Sequence, residues 1–262
     1  MESRGMSQRN RLGGLAGAAC VALLAGMPGV AHAGFSDPAL VFTATNLTGT
    51  GSISITLAQG SALPGGGWQW SLAGPPVPIL TGGGALIGTI TSGSITMKDS
   101  GGLVATSFAV TAGNSATNFQ ISSGEVFFPA QLNPLGRASA GITVTDNTGN
   151  GASVTGNRPG GTVFGAHYNG PAPAGLLFSN LIAGPLNEPN GFGSESTSQS
   201  FPAAPGAFTP IAGNVTSISS LWDFTVTNND QASGTSVFVL IPAPASLALL
   251  GMGGLIAGRR RR

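Results

Sequence analysis

The sequence predicts an all-β protein whose exported body folds as an antiparallel β-sandwich or a jelly-roll-like domain. Apolar and polar residues alternate in many short segments, turn sequences separate these segments, and no run of about 12 residues has helical spacing of apolar side chains. Residues 34–240 are also rich in Gly, Ser, Thr and Asn and poor in Lys and Glu. This length suits one sizeable domain or two small ones.

Each segment with period-two alternation predicts one short strand, because successive side chains of a strand point to opposite faces. The alternating apolar residues are Ile53, Ile55 and Leu57; Trp68, Trp70 and Leu72; Ile95 and Met97; Phe108 and Val110; Phe119 and Ile121; Val126 and Phe128; Ile142 and Val144; Trp222, Phe224 and Val226; and Val237 and Val239. Sequences typical of turns lie between them at residues 64–67, 99–102, 146–149 and 228–230.

Residues 170–210 have a different composition, with many prolines, a run of small polar residues from Ser194 to Ser200 and no sustained period. This pattern predicts a long surface loop or an insertion. Alternation resumes over residues 217–227. No repeat of fixed period is present, so the sequence does not support a solenoid or a propeller.

The first 33 residues have the pattern of a secretory signal peptide. Arg4, Arg9 and Arg11 form a basic region, residues 12–26 are apolar, and Ala31 and Ala33 frame a small-x-small cleavage site. Cleavage after Ala33 would make Gly34 the mature N-terminus.

A lipoprotein signal that uses Cys20 is the alternative at this end. Gly17 stands where such a signal has Leu, and cleavage before Cys20 would halve the apolar region. Cys20 is the sequence's single cysteine, so the predicted mature body has no disulfide, no thiol nucleophile and no thiolate metal site.

The formal net charge of +1 conceals an acidic body. Three basic residues lie in the predicted signal peptide and four at residues 259–262, which leaves Lys98, Arg137 and Arg158 against eight acidic residues, a net charge of −5. Nucleic acid is excluded as a partner, because its recognition requires a basic surface.

Residues 241–262 have the pattern of a membrane segment with a basic stop. The triplet Pro242, Ala243 and Pro244 precedes an apolar run, and four arginines follow it: Arg259, Arg260, Arg261 and Arg262. Positive charge beside a membrane segment is retained in the cytoplasm, so this orientation places the body outside. The uncharged residues 245–258 would span only about 21 Å as a helix at 1.5 Å per residue, so the anchor is short.

The proline pair, the run Ala245-Ser246-Leu247-Ala248-Leu249-Leu250-Gly251 and the arginine cluster together resemble a PEP-CTERM sorting signal. The resemblance covers about the last 21 residues. It implies that an exosortase, a membrane-embedded processing enzyme, recognises the segment and processes the protein outside the inner membrane. Ala243 departs from the family pattern, which usually has Glu at this position. An ordinary single-pass anchor is the alternative interpretation.

The body offers few candidates for chemistry. His167, the single histidine after the predicted signal peptide, lies beside Tyr168 in a candidate strand, which favours a structural role over that of a base. Asp146, Thr148 and Asn150 partly resemble a calcium loop, but Asn157 stands where such a loop has Glu, so an Asx-type turn is favoured. No metal or other cofactor is expected.

Two pairs of residues are candidates for binding or cleaving carbohydrate. Trp68 and Trp70 share one face of a strand and could stack on sugars, although core packing is the commoner role of such a pair. Glu125 and Asp223 are candidate glycosidase carboxylates, which must lie about 5–10 Å apart.

The first functional hypothesis is therefore a non-enzymatic surface or extracellular-matrix protein, structural or adhesive, that is sorted through its tail. The resemblance implies an exosortase-type partner, an inner-membrane precursor, and an association with exopolysaccharide and biofilm in Gram-negative bacteria. A glycan-binding β-sandwich module is the second hypothesis, and a glycoside-active enzyme is the third.

Overall fold

The computed structural model describes residues 34–189 and 191–243, which form eighteen β-strands and two single-turn 3₁₀ helices. The first nine strands are β1 Leu40–Asn46, β2 Gly49–Ile55, β3 Ser61–Ala62, β4 Trp68–Ser71, β5 Val77–Leu80, β6 Leu86–Lys98, β7 Leu103–Ala112, β8 Thr117–Ser123 and β9 Val126–Leu132. The other nine are β10 Leu135–Thr145, β11 Ala152–Gly156, β12 Thr162–Tyr168, β13 Leu176–Ala183, β14 Leu186–Glu188, β15 Ser194–Phe201, β16 Thr209–Pro210, β17 Asn214–Val226 and β18 Gln231–Ile241. The helical turns are Leu57–Gln59 and Pro159–Gly161. The all-β prediction is confirmed.

Antiparallel pairing arranges the strands in two sheets of nine strands each. Sheet A follows the order β13-β12-β17-β8-β1-β2, and β9 and β11 also pair with β17 while β14 pairs with β11. Sheet B follows the order β15-β10-β18-β7-β6-β4-β3, with β16 beside β10 and β5 beside β6. The long strands β6, β10 and β17 each pair with two shorter strands in succession, so short segments are joined into continuous sheets.

Aromatic side chains from both sheets meet between them. The ring of Phe108 on β7 lies 5.1 Å from that of Trp222 and 5.6 Å from that of Phe224, both on β17. Trp222 is fully buried, and its indole Nε1 donates a hydrogen bond of 3.1 Å to Ser236 Oγ on β18. Because β7 and β18 belong to sheet B and β17 to sheet A, these contacts confirm the predicted sandwich.

Most predicted strands and turns fall where alternation placed them, but Leu57 lies in the first 3₁₀ turn rather than in a strand, and Leu72 follows the last residue of β4. In β18, alternation did not indicate which face points inward. Val237 and Val239 point outward, and Val237 is 38% exposed, whereas Phe238 and Leu240 are buried. Val237 and Val239 thus share one face of the strand, as alternation predicted, and this face points outward. The end of this strand is apolar on both faces, so alternation could not determine which residues point inward.

The prediction of a long loop over residues 170–210 was also wrong, because β13, β14, β15 and β16 lie in this range. Strand β15 escaped recognition because it is an edge strand with both faces exposed or half-buried, so it lacks an apolar face. Ser, Thr and Gln occupy most of its positions on both faces, and such a strand has no period-two signal.

Both ends of the described fold contact the turn between β6 and β7. Leu240 donates its backbone N–H to Gly102 O at 2.9 Å, and a Cβ placed on Gly34 would lie 2.9 Å from Asp99 Oδ2. Gly34 O also accepts a hydrogen bond from the N–H of Phe127. The two ends therefore enter and leave the sandwich at the same side. Within residues 34–189 and 191–243, no helix is long and apolar enough to cross a membrane.

Candidate functional site

The outer face of sheet B carries an array of small hydroxyl side chains, which we name the hydroxyl face. Strand register aligns its residues in four rows that run across the strands. The central rows are Ser198, Gly141, Thr235, Ser107, Ser94 and Ser71, and Ser196, Thr143, Ser233, Ala109 and Ser92. The flanking rows are Ser200, Ser139, Val237, Ala105, Thr96 and Gln69, and Ser194, Thr145, Gln231, Thr111 and Thr89.

The hydroxyl face is uncharged and mostly exposed. Sixteen of its 22 residues are Ser or Thr, and none is Asp, Glu, Lys or Arg. All are exposed or half-buried except Ala109. Arg137 and Lys98 lie in the next row, beyond Ser139 and Thr96 respectively. Charge therefore begins at one border of the face rather than within it.

The centre of the hydroxyl face is a shallow depression of about 700 Å³. A second depression of about 350 Å³ continues from it and shares Gly141, Ser198 and Thr235. Gly141 has no side chain to fill this position, although a Cβ there would meet its nearest neighbour, Ser198 Cβ, at an ordinary 3.5 Å. The first depression forms a strip across β15, β10, β18 and β7 and reaches Ser92 on β6, and the second widens it along β15, β10 and β18 toward Ser139.

Two pairs of hydroxyl groups are held in place at the β15 side of the face. Thr143 Oγ1 lies 2.8 Å from Ser196 Oγ, and Thr145 Oγ1 lies 2.8 Å from Ser194 Oγ. A hydroxyl group has one donor and two acceptor positions, so each pair retains hydrogen-bonding capacity toward a ligand.

Asp223 lies on the outer face of sheet A and is held by three amide side chains. Its Oδ1 accepts hydrogen bonds from Asn118 Nδ2 at 3.0 Å and Asn157 Nδ2 at 3.2 Å, and its Oδ2 accepts one from Gln120 Nε2 at 3.1 Å. These amides join β8, β17 and the segment after β11. The carboxylate thus connects elements of sheet A.

Glu125 and Asp223 do not form a catalytic pair. Glu125 Oε1 accepts a hydrogen bond of 2.8 Å from Ser217 Oγ, and Ser217 lies six residues before Asp223 on β17. At about 3.3 Å per residue this separation is about 20 Å, well beyond the distance between glycosidase carboxylates. The suggestion that these two residues act together was wrong.

His167 pairs with Arg158 in a buried site of sheet A. Arg158 Nη2 lies 2.8 Å from His167 Nε2, and His167 Nδ1 lies 3.2 Å from Gly175 O. A guanidinium group can only donate, so Nε2 accepts and the ring proton is on Nδ1, which donates to Gly175 O. Arg158 Nε donates a further hydrogen bond to Asn180 Oδ1. Gly165 makes room for the guanidinium group, which a Cβ at this position would contact.

This environment keeps His167 neutral. Burial lowers the pKa of His167, the hydrogen bond to Gly175 raises it, and the positive charge of Arg158 lowers it again, with a net decrease. Burial likewise lowers the pKa of Arg158, against the raising influence of Asp223. Both histidine nitrogens are occupied by protein groups, which agrees with the structural role that the sequence favoured.

Asp146 forms an Asx-type turn, as the sequence indicated. Its Oδ1 accepts the N–H groups of Thr148 at 2.9 Å and Gly149 at 2.7 Å, and its Oδ2 accepts that of Gly151 at 2.8 Å. Burial alone would raise the pKa of Asp146, but the bonds from Gly151, Thr148, Gly149 and Phe192 outweigh it and lower the pKa to about 2. Among the described residues, no group of three or more His, Cys, Asp or Glu side chains could hold a metal ion.

Trp68 and Trp70 lie on the inner side of sheet B. Trp68 is 2% exposed and its Nε1 donates a hydrogen bond of 2.9 Å to Leu57 O. Trp70 is half-buried and packs against the core cluster. Trp68 is thus a core residue and has no face free for stacking on a sugar.

The residues of the two predicted processing segments lie mostly outside the described part of the chain. Pro242 and Ala243 are described and follow β18 directly, whereas Pro244 and the arginines Arg259 to Arg262 are not. At the other end Gly34 is the first described residue, and Ala31 and Ala33 precede it.

The hydroxyl face and the Arg158–His167 pair were not predicted from the sequence. Alternating serines at Ser194, Ser196, Ser198 and Ser200 were the visible signal for the face. Each of these serines belongs to a different row, and the other residues of each row come from strands far apart in the chain. Only strand pairing therefore brings the hydroxyls together.

No protein-family model and no curated protein matches the sequence. Among solved structures, the chain is similar to the enzymatically active domain of tailspike protein 4 of bacteriophage CBA120, with 16% identity and a TM-score of 0.21 over 52% of this chain and 16% of that chain. It is also similar to a mutant VP2 protein of infectious bursal disease virus, with 10% identity and a TM-score of 0.09 over 80% of this chain and 76% of that chain. Similarities of this size carry no argument about function.

Proposed function

We propose that this chain is an exported, non-enzymatic β-sandwich protein of the cell surface or extracellular matrix. A signal peptide directs its export, and a short membrane helix after the Pro242-Ala243-Pro244 triplet holds the precursor in the inner membrane. An exosortase-type enzyme then processes it, and the released body acts as a structural or adhesive component that associates with exopolysaccharide.

The observation that carries the proposal is the direct connection between the sandwich and the proline triplet. β18 is an interior strand of sheet B, paired with β10 on one side and β7 on the other, and its last residue, Ile241, pairs with Leu135. Pro242 follows immediately and lacks the N–H group that would continue the ladder. Pro242 and Ala243, the two described residues of the triplet, therefore follow the folded body with no linker between them.

The polar interior of the body supports a structural role. Arg158, His167 and Asp146 each hold segments of the fold together through hydrogen bonds with protein groups. Their contacts account for the strongest shifts of pKa among the described residues, so these shifts have structural causes.

Localisation in a Gram-negative host with an exosortase tests the proposal. An epitope is inserted between Gly83 and Gly84, where a Cβ on Gly84 would meet nothing within 4 Å. Antibody should label intact cells or the matrix, and mass spectrometry should find Gly34 at the N-terminus.

Substituting Leu for both Ala31 and Ala33 should block cleavage, whereas His32→Leu, at the unconstrained middle position, is the matched control. Cytoplasmic retention of the wild type, or an acylated Cys20, contradicts this route of export.

A glycan-binding module is the second candidate function, and the hydroxyl face is the observation that favours it. The exposed array of Ser and Thr gives the body a polar recognition surface that does not require the buried Trp68.

A further inference from the structure

We propose that the hydroxyl face of sheet B is a binding site for a neutral, hydroxyl-rich polysaccharide that lies across the strands. The proposal deepens the proposed function and rests on it for its biological setting, because it names the class of matrix component that the exported body would hold. The binding itself is a property of the folded sandwich and can be measured without processing of the tail.

The charge distribution favours a neutral ligand. The predicted mature body carries eight acidic and three basic residues, yet none of these lies in the four rows of the face. An anionic polymer would meet no cation within the rows, and the acidic body would repel it. A cationic polymer would meet no carboxylate there. A neutral ligand needs no oppositely charged group on the face and is not repelled by the acidic body.

The chemistry of the face favours a polyhydroxylated ligand. Ser and Thr hydroxyls both donate and accept hydrogen bonds, as do the hydroxyls of a sugar. Neighbouring strands are about 4.8 Å apart, and residues two apart along a strand are separated by about 6.6–6.8 Å. Each hydrogen bond adds little net affinity in water, so binding requires a polymer that engages many hydroxyls at once.

The shape of the face indicates the path of the chain. The depression lined by Gly141, Thr235 and Ser107 crosses the strands rather than following one of them. Gly141 leaves the strip open between Ser198 and Thr235, which lie on either side of it in the same row. A polymer chain in this strip would contact β15, β10, β18 and β7 in succession.

A second copy of the chain fits the face less well. Val237 is the largest apolar side chain in the four rows, and the other apolar residues are Ala105, Ala109 and Gly141. Interfaces between proteins draw their stability from larger apolar and aromatic side chains. Covering this face with another sandwich would desolvate many hydroxyls for little apolar burial.

A pull-down assay tests the proposal with the full-length chain, purified in a zwitterionic detergent that has no sugar headgroup. The probes are microcrystalline cellulose and curdlan as neutral glucans, alginate as an anionic polymer and chitosan as a cationic one. The wild type should bind at least one neutral glucan more strongly than alginate or chitosan. Binding confined to the charged polymers, or no binding to either glucan, overturns the proposal.

Two variants and their matched controls locate the site. Thr235→Lys places a long charged side chain at an exposed position of the strip and should weaken binding about tenfold or more. Thr143→Val with Thr235→Val removes two hydroxyls of the strip without changing side-chain size and should weaken binding about three- to tenfold. Ser52→Lys, and Thr43→Val with Thr50→Val, make equivalent changes on the outer face of sheet A. These controls should bind like the wild type.

The outcomes separate this proposal from the alternatives. Equal binding by the wild type and Thr235→Lys overturns it, as does equal loss in the sheet A controls. A dimer in analytical ultracentrifugation that Thr235→Lys dissociates would show that a second copy occupies the face instead. Normal export without glucan binding overturns this inference alone, whereas glucan binding without tail processing leaves it intact and contradicts the sorting route. Circular dichroism of each variant confirms that the sandwich is folded.

Discussion

At the scale of single residues, His167 has a structural role, because both nitrogens of its imidazole are hydrogen-bonded to Arg158 and Gly175 and neither is free to act in catalysis. The guanidinium group fixes the tautomer of the imidazole, and Gly175 O accepts its remaining proton. Protonation of Nε2 would break the contact with Arg158 and place two positive charges together in a buried site. The folded state therefore resists protonation of His167.

This resistance predicts a loss of stability as the pH falls below about 6.5, the usual histidine pKa. Because folding lowers the pKa of His167, the unfolded chain binds the proton first. The contribution is fully present above about pH 6.5 and decreases as the pH falls toward the folded-state pKa, by at most about 1.4 kcal/mol per pH unit. His167→Gln, whose amide can accept from Arg158 and donate to Gly175, should remove this dependence. Urea unfolding between pH 7.5 and 5.5 measures it, and parallel profiles for the two proteins would refute the assignment.

At the scale of elements, β17 organises sheet A and supplies the centre of the core. Its 13 residues pair with four strands, and Trp222 contacts Phe164 of β12 at 5.0 Å as well as Phe108 across the sandwich. Gly234 on β18 allows this packing, because a Cβ there would lie 2.6 Å from Phe108 Cζ and 3.2 Å from Trp222 Cη2.

Truncating Trp222 should therefore be among the most destabilising single changes in the body. Trp222→Ala should cost about 3–5 kcal/mol of unfolding free energy, because it leaves a cavity between the sheets. Trp222→Phe retains an aromatic ring but leaves Ser236 without its donor, and should cost about 1–3 kcal/mol. Leu47→Ala, at a side chain that is 96% exposed, is the control and should change stability by less than about 0.5 kcal/mol. Chemical denaturation provides the values, and a cost for Trp222→Ala as small as the control's would reject this view of the core.

The same elements show which parts of the fold could be predicted from the sequence. Strands with one apolar and one polar face, such as β2, β8 and β10, can be predicted from the alternation of apolar and polar residues in the sequence. β18 was found, but its facing was not, because Val237, Phe238, Val239 and Leu240 are all apolar. β15 was missed because it is polar on both faces. Strand pairing between distant segments, which creates the hydroxyl face, leaves no local signal in the chain.

At the scale of the whole molecule, the two ends of the described fold meet at one turn. Gly34 lies beside Asp99, and Leu240 donates to Gly102 three residues later. The predicted signal peptide and the predicted membrane segment are therefore attached on the same side of the sandwich. Before signal cleavage, both would connect this side to the membrane. The hydroxyl face is the outer face of sheet B, so attachment of the body to the membrane at the turn between β6 and β7 would leave this face accessible to a ligand.

Substitutions in the proline triplet test whether the C-terminal segment, residues 241–262, is a processing signal or only an anchor. A processing enzyme needs reachable backbone, and Pro242 ends the β18 ladder because it cannot donate to it. Substituting Ala for both Pro242 and Pro244 would allow the strand or the membrane helix to extend through the triplet and shield it. Under the sorting hypothesis, full-length protein should then accumulate in the inner membrane.

Three further variants make this experiment decisive. Ala243→Glu restores the residue that the PEP-CTERM pattern usually has, and should increase the processed fraction. Removing Arg259 to Arg262 should weaken retention of the membrane segment and reduce processing. Pro75→Ala with Pro76→Ala, at two exposed loop prolines, is the matched control and should leave processing unchanged. In cell fractionation, the epitope after Gly83 detects the body of the protein, and an antibody against the C-terminus detects the arginine segment. If surface protein still carries its arginines, and the Pro242 and Pro244 double variant behaves like the wild type, the segment is a plain anchor.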